Sequence, residues 1–288
     1  MTAIESRGVT KEFGADDVVR GADLAVEEGE ALLLMGPNGV GKTVLLSCLA
    51  GSREPTEGAV EVFGRPVGED GGDSLTFLLQ DSMAVETLTG RENVDFYSRL
   101  HHRFTDRWRE YVDRLGLAED LDKRVGNYSE GMKRKLELAL TMSVDVPVYL
   151  LDEPTAGVDL TNIQRFHDII LEARDAGKTV LVSSHRPIDA NIADRVAFMP
   201  DGTVSTVSEP DGLMEQVPPV VRVTGSEAMR TAEEYVDGQL FPVGGEARGF
   251  LAEDVAFEEL AGAVEGESLE RIDPTYTDLF NYYVHVQS

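Results

Sequence analysis

The chain has 288 residues and a hydrophobic share of 42%, enough for one large domain or two moderate ones around a packed core, which excludes a disordered chain. Its 53 acids against 26 lysines and arginines leave a net charge of -27, a field that repels phosphate backbones and excludes nucleic acid as a partner. Residues 1–7 lack an apolar signal core and no apolar run approaches the ~20 residues of a membrane span, so the chain reads as cytoplasmic.

Residues 4–26 alternate apolar and polar positions between Gly8, Gly14 and Gly21, which predicts two or three strands at a sheet edge. Within them, Phe13 is either a strand aromatic packed in the core or a ring placed to stack on an adenine base. The apolar run 31–35 reads as a buried strand. Residues 44–50 read as a helix, with the single cysteine, Cys48, on an apolar stretch; no internal disulfide can form, and core packing is its expected role.

Between that strand and that helix stands Gly36-Pro37-Asn38-Gly39-Val40-Gly41-Lys42-Thr43. Strand, glycine loop and helix is the context of a phosphate-binding loop. Glycines let backbone N–H groups turn inward without Cβ clashes. The helix start adds unpaired donors and the positive end of its dipole. Lys42 then reaches the β- and γ-phosphates, and Thr43 offers a hydroxyl to Mg²⁺.

Residues 59–63 form the next expected strand, and 64–73 a glycine-rich acidic turn. The apolar strand 75–79 ends at Gln80, which is either a polar loop residue or a side chain able to reach a metal and an attacking water. From residue 89 to 142 the pattern turns helical, with helices over 92–100 and 106–115. Phe96, Tyr97, Trp108 and Tyr111 are expected to pack between them, and His101 and His102 to mark a solvated helix end. Ser129 suits an N-cap, with Glu130 favourable at the positive end of the same helix. The alternative is that Ser129 and the Gly131 N–H face a phosphate held by another subunit. Lys133, Arg134 and Lys135 read as a solvated basic face.

The apolar strand 148–151 delivers Asp152 and Glu153 at its end. Paired with the upstream phosphate loop, Asp152 suits an Mg²⁺ ligand. Glu153 is then placed to accept a proton from attacking water. A turn through Asp159 leads to a helix over 160–176, and the β-branched strand 179–184 ends at His185, where strand ends of an open parallel sheet line the ligand crevice. Two short strands, 195–199 and 203–206, close this part. Residues 208–219 read as a linker. The segment 220–288 reads as strand, helix, strand, helix over 220–223, 227–236, 250–252 and 255–264, with no catalytic constellation.

In order and spacing these motifs resemble the ATP-binding subunit of an ABC transporter, over roughly residues 1–207. Gly36 to Thr43 match the Walker A loop and residues 150–153 the end of Walker B. Gln80 matches the Q-loop glutamine, Asp159 the D-loop aspartate and His185 the switch histidine. Phe13 sits where the family places its adenine-stacking aromatic. Tyr128-Ser129-Glu130-Gly131-Met132 corresponds to the family signature, in a form similar to the export-type, multidrug-exporter branch. Its departure is Glu130, where glycine is usual; the acid is expected to point to solvent.

The resemblance implies an α/β fold: a P-loop NTPase core at 1–207, with an antiparallel β edge subdomain and a helical subdomain at about 86–143, then a small C-terminal α+β appendage at 220–288. It implies ATP and Mg²⁺ as cofactors, with Thr43, Gln80 and Asp152 holding the metal. Lys42, Gln80, Glu153 and His185 would carry hydrolysis. Residues 36–43, Phe13, Ser129, Gly131 and Asp159 would contact nucleotide. It implies a homodimer or a paired ATPase subunit, a separate membrane permease, and a place at the inner face of the cell membrane. The acid-rich chain, with lysine confined to Lys11, Lys42, Lys123, Lys133, Lys135 and Lys178, also resembles proteins of salt-accumulating halophiles.

Overall fold

The computed structural model describes residues 1–69, 73–80, 82–264 and 268–287. It divides into two compact units, Met1–Val207 and Ser208–Ser288. In the first, β1 (Thr2–Phe13) and β2 (Asp16–Glu27) form an antiparallel pair. The buried strand β3 (Ala31–Met35) and helix α1 (Lys42–Leu49) follow, then β4 (Glu57–Val62) and β5 (Arg65–Pro66). The antiparallel sheet has the order β2-β1-β4-β5.

After β6 (Leu75–Leu78) come three helices, α2 (Gly90–Leu100), α3 (Trp108–Arg114) and α4 (Glu130–Met142). A capping box starts α2: the Glu92 N–H donates to the Thr89 hydroxyl at 3.1 Å, and the Thr89 N–H donates to the Glu92 carboxylate at 2.8 Å. The unit finishes with β7 (Val148–Asp152), α5 (Leu160–Asp175), β8 (Thr179–Ser184), β9 (Arg195–Phe198) and β10 (Val207–Ser208).

The second sheet has the order β10-β9-β3-β8-β7-β6, and the pairings from β9 across to β6 are parallel. Every residue of β3, β7 and β8 is buried, as parallel strands covered on both faces should be. Parallel register brings the C-terminal ends of four strands to one edge: Met35 pairs with Ser184, Asp152 with Ser183 and Leu78 with Leu151. That edge is where open parallel sheets bind ligands. Helix α1 contacts both sheets, and its Leu45, Leu46, Cys48 and Leu49 join Ile4, Val19, Leu24, Leu32, Leu34 and Leu150 in one core. Each such aliphatic side chain contributes roughly 1.5–3 kcal/mol when fully buried, so the helix that follows the glycine loop is fixed in place.

The helical segment departs from expectation at two points. Trp108 and Tyr111 are buried, but Phe96 is 44% exposed, with its ring edge-to-face with Tyr97. The run 133–135 is not a solvated face, because Arg134 is buried.

The second unit has α6 (Pro210–Gln216), β11 (Val220–Thr224), α7 (Ser226–Ala232), β12 (Val236–Val243), β13 (Glu246–Leu251), α8 (Phe257–Ala263), β14 (Leu269–Ile272) and α9 (Tyr276–Asn281). Its antiparallel sheet has the order β12-β13-β11-β14, with Val221, Val223, Ala232, Leu251 and Leu260 in its core. The stretch read as a linker holds α6: Pro210 opens it, where a missing N–H costs nothing, and Leu213 is buried. The helix expected to reach residue 236 stops at Ala232, and Val236 opens β12. That strand was hidden by Gly238, in the left-handed region at φ 75°, beside a register shift between Asp237 and Phe241. Part of the turn expected over 64–73, and the last residue of the appendage, lie outside the described residues.

Candidate active site

The loop between β3 and α1 sits at the edge where the parallel strands end. The Gly36 N–H donates to the Ser184 carbonyl at 3.3 Å, tying the loop to the end of β8. A Cβ at Gly36 would lie 2.2 Å from the Met199 carbonyl oxygen, so only glycine fits there. Gly41 adopts φ 111° and precedes α1, whose first turn carries no acid and whose N-cap has no side-chain hydrogen bond. A helix start of that kind presents its N–H groups to an anion. The Lys42 side chain is only 5% exposed and its ammonium donates to the carbonyls of Gly36 at 2.8 Å and Pro37 at 3.0 Å. Asn38, Gly39 and Val40 complete the bend.

Glu153 follows β7 directly. One carboxylate oxygen, Oε1, stands 3.2 Å from Lys42 Nζ; the other, Oε2, stands 2.8 Å from His185 Nδ1. Its backbone lies in the left-handed region at φ 48°, unusual for a residue with a side chain. The Glu153 N–H donates to the Ser183 carbonyl and hydroxyl, each at 3.1 Å. The structure thus brings Lys42, Glu153 and His185 together from the ends of three parallel strands.

Three further oxygens gather near α1 and the strand ends. The Thr43 hydroxyl donates to Gln80 Oε1 at 3.1 Å. Asp152 is fully buried, and its Oδ1 accepts from the Ser183 hydroxyl. Its Oδ2 is buried with no hydrogen-bond partner among the described residues. A buried carboxylate oxygen left without a donor is a hard-oxygen ligand of the kind Mg²⁺ prefers, and the Thr43 hydroxyl and Gln80 amide oxygen are of the same chemistry. The residues present fit the metal.

Ser129 and Gly131 stand at the start of α4, outside the Lys42–Glu153–His185 cluster. The Ser129 hydroxyl accepts from the Met132 N–H at 3.2 Å, so its capping role is filled. The Glu130 side chain is 81% exposed and pairs with Lys133 at 3.1 Å. Asp159 caps α5, accepting from the Asn162 side chain at 2.6 Å and the Asn162 N–H at 3.1 Å; those bonds lower its carboxyl pKa. Phe13 is 41% exposed, with the Arg53 guanidinium 5.0 Å and the Lys11 ammonium 5.8 Å from its ring centre. It is therefore not a core aromatic; its ring lies at the surface beside two cations.

Two groups hold positions that the sequence pattern does not announce, Arg134 having read as part of a solvated face. Arg134 and Glu137 on α4 bond to the backbone on either side of Gln80 and to the acids after β7. Asp189, fully buried, accepts from Thr155 at 2.9 Å and from Ser184, and stands 2.8 Å from His167 Nε2. A helical count carries the only signal for Arg134: positions four and seven further on are Leu138 and Thr141, both buried. For Asp189 no local pattern exists, since its partners lie in three separate segments.

A sequence profile described as "ABC transporter" matches residues 19–156. A fluoroquinolones export ATP-binding protein of Mycobacterium tuberculosis is 30% identical over 290 aligned positions, spanning 96% of this chain and 91% of that protein. A daunorubicin resistance ATP-binding protein of Streptomyces coeruleorubidus is 34% identical over 220 positions, 74% of this chain and 70% of that one. Among solved structures, an ATP binding subunit of an ABC transporter superposes with a TM-score of 0.67 at 22% identity, covering 75% of this chain and 93% of that chain. A cassette in a post-hydrolysis state, bound to ADP and Pi, superposes at 0.65 with 23% identity, covering 72% and 98%. At those identities the structural likeness carries the fold alone.

Proposed function

The chain belongs to the family of ABC transporter ATP-binding proteins, and we propose that it is the ATP-hydrolysing motor of an exporter, closing as a pair around ATP to drive a separate membrane permease. Among the described residues no helix is long and apolar enough to cross a membrane, so the pore is assigned to another chain. That division of labour puts this subunit at the cytoplasmic face of the membrane. Export rests on the relatives' names, one for fluoroquinolones export and one for daunorubicin resistance.

The observation that carries the reading is the Lys42–Glu153–His185 cluster beside a glycine loop. Lys42 and the loop N–H groups stabilise charge on the transferred phosphoryl group. Glu153 takes a proton from the attacking water, and His185, bonded to the same carboxylate, orients it and faces the γ-phosphate. Thr43, Gln80 and Asp152 would hold the metal, and Mg²⁺ held there would offset the charge of the phosphates. Phe13 stacks on the adenine. Ser129 and Gly131 contribute from the opposite copy, with Asp159 near the same seam, which accounts for their distance from Lys42 within one chain. Closure on ATP and reopening after hydrolysis move the helical segment 89–142 against the permease.

Steady-state phosphate release from Mg-ATP by the purified chain in molar salt tests the motor. Wild-type chain that binds ATP but releases no phosphate, alone or with its co-purifying membrane protein, would sink the assignment. Glu130, the departure in the signature, is 81% exposed in the single chain and pairs with Lys133 at 3.1 Å.

A further inference from the structure

We propose that Arg134 and Glu137 are positioning residues that lock α4 to both halves of the hydrolytic site; this rests on the assignment of Glu153 as base and of Gln80 to the metal. Arg134 is 5% exposed and Glu137 is 3% exposed. They lie three residues apart on one face of α4 and pair at 3.4 Å.

The guanidinium uses its whole fan of donors. Its Nε donates to the Pro154 carbonyl at 3.2 Å and Nη1 to the Leu79 carbonyl at 2.6 Å. Its Nη2 donates to the carbonyls of Asp152 and, at 3.0 Å, Glu153. Glu137 Oε1 accepts from the Ser82 hydroxyl at 2.6 Å, the Met83 N–H at 2.9 Å and the Ala84 N–H at 3.3 Å. Gln80 thus sits on a short segment pinned by Arg134 on one side and Glu137 on the other. The same guanidinium holds three consecutive carbonyls at the turn where Glu153 takes its left-handed backbone.

A pair kept for stability alone would be a poor use of two buried charges, since apolar residues of similar volume commonly serve as well. Burial works against the charged guanidinium and lowers its pKa. What the pair adds is direction. All its backbone bonds fall within four residues of Gln80 or on the acid turn itself. Lysine cannot replace this fan, because an ammonium is a point charge with three donors, whereas the guanidinium is a planar fork with five. Because Ser129 caps the start of α4, a shift of the first turn reaches Gln80 and Glu153 through these two side chains.

The test uses the full chain in molar salt. Arg134→Gln is expected to lower kcat about 10–100-fold while the KM for ATP and binding of a fluorescent ATP analogue stay within about twofold, the signature of lost positioning. Glu137→Ala should do the same. Arg134→Lys keeps the charge and should still lose about tenfold in kcat. The deciding comparison is made in a Glu153→Gln background by single-turnover phosphate release. There Arg134→Gln should cost at least about threefold less than it costs alone, because the base it positions is gone and only its hold beside Gln80 is left to lose. A loss that persists undiminished in that background overturns the inference and leaves the base assignment standing. Wild-type turnover by Glu153→Gln alone overturns the base assignment, and the inference with it. Unchanged kcat in Arg134→Gln, or ATP binding that falls in step with kcat, also overturns it. If Arg134→Gln fails to fold, Arg134→Lys carries the same comparison; failure of both to fold marks a purely structural role and overturns it.

Discussion

Lys42 Nζ stands 3.2 Å from Glu153 Oε1, both side chains are almost wholly buried, and His185 holds the other carboxylate oxygen at 2.8 Å. The ammonium expected to meet a triphosphate and the carboxylate expected to meet its attacking water are thus paired with each other. On the proposed reading, a triphosphate in the glycine loop would compete with Glu153 for that ammonium, and binding and base release would be one exchange of partners.

Glu153→Gln should therefore cut turnover by about 10²–10⁴. ATP binding should be no weaker than in the wild type, because Lys42 loses a competing anion. Phosphate release and nucleotide titration on the same preparation check both halves. Turnover at the wild-type rate removes Glu153 from the base role.

Lys42→Ala should weaken nucleotide binding and turnover together. It also strands a buried carboxylate, and removing one member of a buried pair costs about 3–5 kcal/mol. Urea unfolding without nucleotide should show that loss, and the double variant Lys42→Ala with Glu153→Gln should recover part of it. A single variant as stable as the wild type would mean the pair contributes nothing to folding.

Gly36→Ala and Gly39→Ala should differ sharply. A Cβ at Gly36 meets the Met199 carbonyl at 2.2 Å, so the loop must move and ATP binding should be lost. At Gly39 a Cβ meets nothing within 4 Å and only the left-handed backbone, φ 80°, resists it, at roughly 1–2 kcal/mol. Equal ATP affinity in the two variants would refute the steric account.

Asp189→Ala should destabilise the chain by several kcal/mol, since His167, Thr155 and Ser184 all lose one buried acceptor and each unsatisfied group costs about 1–3 kcal/mol. Chemical denaturation measures it. A change below 1 kcal/mol would show that water or a rearranged side chain takes the place of Asp189.

With a net charge of -27, thermal stability should climb between low salt and about 1 M, where the screening length shrinks to roughly 3 Å. Melting curves over a KCl series check this. A flat series would count against a salt-adapted surface.

The phosphate loop and the acid-tipped strand were legible because each is announced by an apolar run with polar residues at its end, and His185 because it follows a β-branched strand; parallel strands bring such ends to one edge. Arg134 was misread because a charge between two lysines looks solvated; only the helical count toward Leu138 and Thr141 turns it inward. Phe13 stood undecided, since an alternating pattern does not tell the last strand residue from an open ring. In the second unit, β12 was lost to a glycine and a register shift in its middle, and α6 to a proline read as a stop when it was a start. Tertiary partners, as at Asp189, leave no local trace at all.

Glu153 occupies a backbone basin in which side-chain-bearing residues are uncomfortable by roughly 1–3 kcal/mol, while glycine is at ease there. At position 153 strain and pairing therefore oppose each other. Glycine there would relieve the backbone but leave the buried Lys42 ammonium without its carboxylate, a loss of about 3–5 kcal/mol that outweighs the gain, so libraries screened only for heat tolerance are expected to keep the acid.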